Sequence, residues 1–188
     1  MKRVALALTA GVVVSAIVVG TASGTQRFAP TTSNSTPKWK VVRSVHAGFT
    51  LAVPGSWTAI PPDKSTPGVV LEAFDMKRST ANAPYGVLVV VVPGSGRSLG
   101  ALSARVLRAA HHQPVVGPIT ARRIHLPAGR AQVVRYRVRV QGKDMAFADY
   151  ALVVRGKSVM LSYVVPHAHS DAYRATFARS AESFHVGG

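Results

Sequence analysis

Residues 119–165 read ITARRIHLPAGRAQVVRYRVRVQGKDMAFADYALVVRGKSVMLSYVV. Four apolar-rich runs, Ile119 to Leu126, Ala131 to Val140, Met145 to Val154 and Val159 to Val165, are broken only by Pro127-Ala128-Gly129, Gln141-Gly142-Lys143 and Gly156-Lys157. Each break is a turn-forming group too short for a parallel crossover, which needs about a dozen residues or more. The four runs are therefore expected to pair antiparallel, as a meander.

Working outward, Val41 to His46 and Phe49 to Val53 read as two short strands around Ala47-Gly48, with Phe49, Leu51 and Val53 alternating onto one face. Pro54-Gly55-Ser56 ends the second, and Trp57 follows as a buried anchor. After a loop marked by Pro61-Pro62-Asp63 and Pro67-Gly68, Val69 to Asp75 reads as another strand. Gly86 to Val92 is apolar throughout, the pattern of a central strand covered on both faces, so helices are expected on both sides of the sheet. Ser98 is placed to cap a helix through His111, with Leu99, Leu102, Val106 and Ala110 at helical spacing. A final helix opens at Ser170 or Asp171, and its stripe of Tyr173, Phe177 and Ala181, with Phe184 at its end, reads as core rather than cofactor site. These elements make an α+β domain, a twisted antiparallel β-sheet sandwiched between helices in an α/β/α arrangement.

The ends of the chain divide it differently. Met1, Lys2 and Arg3 precede the apolar run Val4 to Val19 and the small residues Gly20 to Gly24. That is the layout of a signal peptide, and cleavage is the expected fate, although the apolar stretch as far as Ala22 is also just long enough to remain as an N-terminal membrane anchor or transmembrane helix. Either way the positive residues stay inside and the remainder crosses, so the domain works outside the cytoplasm, secreted or anchored. Residues 25–40 are rich in Thr, Ser and Pro and read as a flexible linker, leaving 41–188 as one domain after the 1–24 leader. Asn34-Ser35-Thr36 matches a glycosylation acceptor and is assigned no role.

Gly48-Phe49-Thr50-Leu51-Ala52-Val53-Pro54-Gly55-Ser56-Trp57 resembles the opening motif of PsbP-like domains, a Gly-Phe pair followed by alternating apolar residues, a proline and a tryptophan. The hairpin from Tyr150 to Tyr163 and the final helix ending in Ser183-Phe184 resemble the other end of those domains, so the likeness runs from about Val41 to Val186. It implies the same sandwiched sheet, with Phe49, Pro54, Trp57, Phe177 and Phe184 as structural anchors. It also implies an accessory subunit or binding module rather than an enzyme, and it carries no active-site residue.

Cysteine is absent, which excludes disulfides, thiolate metal sites and thiol nucleophiles. With 23 Lys+Arg against 7 Asp+Glu the formal charge is +16, and without Lys2 and Arg3 it is +14, so anionic partners are favoured. In Arg135-Tyr136-Arg137-Val138-Arg139 the three arginines share one strand face at intervals of about 7 Å. Arg122, Arg123 and Arg130, on or beside the preceding strand, are expected to widen this ladder into an anion-binding patch. A solvated face, or arginine stems lying over apolar surface, is the plainer reading of the same pattern.

Other motifs lead nowhere. Gly94-Ser95-Gly96-Arg97-Ser98-Leu99-Gly100 has Leu99 where a dinucleotide loop needs its third glycine, and Gly156-Lys157-Ser158 joins two strands instead of opening a helix. Seven histidines, including His111-His112 and His167-Ala168-His169, have no carboxylate at metal-motif spacing, so neither metal nor cofactor is expected. The sequence thus points to an exported, non-catalytic binding or accessory module of the cell envelope. Its partner would be an envelope protein or an anionic surface component near the membrane. Nucleic acid is not expected, because the chain is exported and its aromatics go to the core. The alternative is an extracytoplasmic hydrolase assembled from His111, His125, His167 or His169 with Asp149.

Overall fold

The anticipated meander folds as its turns dictate. A computed structural model describes residues 38–187 apart from 45–46, 63–65, 81–82 and 93–97. The leader and most of the linker lie outside the described residues. Strands β1 (Trp39–Ser44), β2 (Phe49–Pro54), β3 (Thr58–Ile60), β4 (Val69–Phe74) and β5 (Gly86–Val91) precede helix α1 (Leu99–His111). Then come β6 (Thr120–Leu126), β7 (Gly129–Val140), β8 (Lys143–Val154) and β9 (Lys157–Pro166), a 3-10 turn at His167–His169, α2 (Ser170–Glu182) and β10 (His185–Val186).

Seven strands form one antiparallel sheet in the order β3-β4-β5-β9-β8-β7-β6. The hairpins β7–β8 and β8–β9 close through Gln141-Gly142 and Arg155-Gly156, all four residues at positive φ between 48° and 79°. Two consecutive positive φ values define the turn whose twist matches that of the flanking strands. The non-glycine member of each pair accepts a left-handed conformation so that the long strands stay in register.

β1, β2 and β10 depart from the expected single sheet. They pair with one another in a separate three-stranded sheet, order β1-β2-β10, laid over one face of the large one. β1 also begins at Trp39, two residues inside the stretch assigned to the linker, and its indole stacks under the Arg179 guanidinium at 4.4 Å. Trp39 and Lys40 therefore belong to the domain rather than the linker.

Two cores result, one on each face of the large sheet. On the first, Phe49, Leu51 and Val53 from the small sheet and Trp57 from the turn after β2 join Phe177, Ala181 and Phe184 against Val133, Tyr150, Leu161 and Tyr163. Ser180 Oγ donates to the Ala52 carbonyl at 2.7 Å, and Ser183 Oγ accepts from the Ala52 amide at 2.8 Å, which fixes α2 to β2. On the second face Leu102, Val106 and Ala110 of α1 cover Val134, Tyr136, Met145, Phe147 and Met160. Ser98 Oγ caps α1 by accepting from the Ala101 amide. Helices thus lie on both sides of the sheet, as the apolar run Gly86 to Val92 implied, with the small sheet sharing the α2 side.

Candidate functional site

Strand β7 presents its odd residues to the α2 side, where Ala131 and Val133 enter the core, so Arg135, Arg137 and Arg139 do share a face. Their surroundings make the three unequal. Arg139 is spent on Asp144, its cross-strand partner, donating Nε to Oδ1 at 2.8 Å and Nη2 to Oδ2 at 3.3 Å. That guanidinium holds the Asp144 carboxyl below the usual carboxylate range. Arg137 is a strut: Nε donates to the Val116 carbonyl at 3.1 Å and Nη1 lies 2.9 Å from His167 Nε2. A guanidinium only donates, so His167 accepts at Nε2 as the neutral Nδ1–H tautomer, with Nδ1 3.4 Å from Ser170 Oγ. Gly117, at φ +83°, makes room for it, since a Cβ there would stand 2.6 Å from Arg137 Nη2.

Arg135 remains. It lines a cleft of about 200 Å³ between β7, β8 and the first turns of α2, together with Thr120, Tyr150, His167, Arg174 and Phe177. Burial raises the Tyr150 phenol above its ordinary value while the Arg135 guanidinium beside it pulls the other way. Neither Arg135 nor Arg137 takes part in the ion pairs Arg78–Asp75, Arg139–Asp144 and Arg174–Asp171 among the described residues, although the Arg137 charge helps to hold the Asp144 carboxyl down. The cleft sets Arg135, Arg137 and Arg174 beside Tyr150 and Phe177, and its one carboxylate lining residue, Asp171, is paired with Arg174 at 2.7 Å.

The expected widening of the ladder does not occur as a single patch. Arg122 is opposite Val133 and stays on the α2 side, whereas Arg123 is opposite Gln132, and Arg130 opposite His125, on the α1 side. Adjacent residues of a strand point to opposite faces, so Arg122 and Arg123 cannot belong to one surface. Arg123, His125 and Arg130 instead line a second groove against Leu99, Gly100 and Ser103 of α1.

Asp149 does not gather the histidines that a hydrolase would need. It is 1% exposed, beneath α1, and its two oxygens accept from the Tyr136 hydroxyl at 2.8 Å and the Ser162 hydroxyl at 2.6 Å. Burial carries this carboxyl from 3.8 to about 6, the two hydrogen bonds opposing the rise. His111 ends α1, His125 lies on the edge strand β6, and His167 and His169 form the 3-10 turn; all but half-buried His167 are exposed. No cluster of three metal-binding side chains is present among the described residues. Of the glycine-rich stretch before α1, residues 94–97 lie outside the described residues. Gly156 belongs to the Arg155-Gly156 turn between β8 and β9, and Lys157 is the first residue of β9. The anchors Phe49, Pro54, Trp57, Phe177 and Phe184 are all buried, Trp57 at 1% exposure. Among the described residues no helix is long and apolar enough to cross a membrane.

No family model and no curated protein matches the sequence. Solved structures do match the fold. The cyanobacterial PsbP, CyanoP, from Synechocystis sp. PCC 6803 superposes with a TM-score of 0.58 at 15% identity, over 84% of this chain and 98% of its own. LpqN, involved in cell envelope biogenesis of Mycobacterium tuberculosis, gives 0.55 at 13% identity, over 82% and 94%. The Saccharomyces cerevisiae Ran-binding protein Mog1p gives 0.54 at 12%, over 80% and 96%.

Proposed function

Because this chain carries the PsbP-like fold, we propose that it is an exported, non-catalytic binding module of the cell envelope, and that its α2-side cleft receives one anionic group, a carboxylate or phosphate, of an envelope component. The observation that carries this reading is Arg135, a guanidinium without a carboxylate partner among the described residues, set in a cleft with Tyr150 and Phe177. Such a fork makes paired hydrogen bonds to a planar or tetrahedral oxyanion, and the neighbouring rings exclude water from them. A cleft of about 200 Å³ admits a single group rather than a polymer. The fold's recurrence in an envelope protein and in a Ran-binding protein supports a module that binds rather than one that reacts.

The experiment is co-sedimentation of the full-length chain with vesicles of anionic phospholipid, with uncharged vesicles subtracting whatever the apolar leader contributes. The charge-dependent part should fall as salt rises and drop at least about tenfold in Arg135→Glu, since charge-assisted hydrogen bonds are worth about 1.5–3 kcal/mol. Undiminished binding by that variant would remove the cleft from the account. Esterase or phosphatase turnover by the purified chain would overturn the non-enzyme reading.

A further inference from the structure

The groove on the opposite face carries an inference of its own. Its lining brings together the first turn of α1, through Leu99 and Gly100, and a block of side chains from β6 and β7: Arg123, His125, Arg130 and Gln132. The block is dictated by register. Arg123 is opposite Gln132 and His125 opposite Arg130, so all four project to the α1 side from adjacent positions of two strands. None of Arg123, His125 or Arg130 takes part in an ion pair among the described residues. The first turn of α1 contains no acidic residue, and the leading amides of any helix lack intrahelical acceptors and present positive charge.

A helix end beside basic residues is common; Ser103 is not. One turn into α1, it is only 4% exposed, lines this groove, and its Oγ has no hydrogen-bond partner among the described residues. A buried hydroxyl left unpaired costs about 1–3 kcal/mol, and alanine would serve the helix better. Gly100, by contrast, is not demanded by packing, since a Cβ there would meet only Ser98 Oγ at 3.6 Å. Its missing side chain leaves the helix backbone open toward the basic block.

We propose that this groove is a second ligand site, distinct from the α2-side cleft, that binds the phosphate group of a small phosphate monoester. The oxyanion sits at the first turn of α1, Arg123 and Arg130 contribute charge-assisted hydrogen bonds, and Ser103 donates its otherwise unused hydroxyl. The volume, about 850 Å³, lies in the range of roughly 300–1,000 Å³ found for small-molecule sites. Room therefore remains for an organic group on the phosphate, which Val153 meets with apolar surface.

The test is isothermal titration of the full-length chain, at low salt, with glucose 6-phosphate, inorganic phosphate and glucose. Both phosphates should bind and glucose should not. Tighter binding of glucose 6-phosphate indicates a monoester as the natural source, and equal binding indicates the free ion; either result requires the oxyanion site. Ser103→Ala should weaken binding about tenfold, the effect of losing one hydrogen bond to a charged group, while leaving the melting temperature unchanged or higher. Arg123→Gln combined with Arg130→Gln should weaken it further, and Arg135→Gln in the other cleft should leave it unchanged. The proposal is overturned if neither phosphate binds, if Ser103→Ala and the double variant bind like the parent, or if Arg135→Gln alone abolishes the signal.

Discussion

The two faces of the seven-stranded sheet are covered in different ways. On one side α2 and the small sheet press large rings together: Phe49 against Phe184 at 5.4 Å, Tyr163 against Phe177 at 4.9 Å and Tyr150 against Tyr163 at 5.5 Å. On the other a single helix lies over the strands with Leu102, Ser103, Val106, Ala109 and Ala110 as its buried residues, most of them small. The cleft on the aromatic side measures about 200 Å³ and the groove on the α1 side about 850 Å³. On the α1 side the rings belong to the strands instead, where Tyr136 stacks on Phe147 at 5.2 Å beneath the helix. The α1 face also holds the buried polar network of Asp149, Tyr136 and Ser162, so the two sides should respond differently to truncation and to pH.

Truncating the aromatic side should have the largest effect. Trp57→Ala removes a fully buried indole from the core between the sheets and should cost about 3–5 kcal/mol, read as a lowered thermal midpoint. An unshifted midpoint would mean that this face does not carry the stability assigned to it.

On the α1 side the expected effect depends on pH. Asp149 holds its proton more tightly folded, at about 6, than unfolded, near 3.8. Between those values the folded state binds more protons, so this residue's contribution to stability falls as pH rises from about 4 to 6 and is flat above, a change on the order of 3 kcal/mol. Asn keeps an acceptor for one hydroxyl and offers a donor to the other. Asp149→Asn should therefore abolish that slope in denaturation measured from pH 4 to 8 and leave the protein no less stable at pH 7.5. A variant that retains the slope would place its origin elsewhere. The smallest expected change is at the β7–β8 turn, where Gln141 sits at φ 48°. Asn accepts that conformation more readily, so Gln141→Asn should raise stability by a few tenths of a kcal/mol, with ligand binding unaltered on both faces.

The elements that local chemistry specifies were legible in the sequence. The meander is written in alternation and two-residue turns, α1 in its Ser98 cap, and the burial of Trp57 in the proline break before it. The small sheet was not, because β2 pairs with β10, more than a hundred residues away, and β10 has only two residues. For the candidate sites, strand parity was available and decisive. With β6 and β7 joined through Pro127-Ala128-Gly129, Arg123 faces away from Arg122, and the split of the basic residues follows. Which arginine of the ladder stays available could not be read from parity. That depends on Asp144 across the hairpin and on His167 and Val116 arriving from elsewhere in the chain.

The central claim is that the ladder has one available rung, and the direct measurement compares Arg135→Gln with Arg139→Gln in vesicle binding at low salt. Both remove one positive charge from the same strand face, but Arg139 is already matched to Asp144 while Arg135 faces the cleft. Arg135→Gln should lower the charge-dependent binding about tenfold and Arg139→Gln less than twofold, the modest effect of an exposed, paired charge. Equal losses in the two variants would mean that binding follows net charge alone, and would contradict the assignment of the cleft.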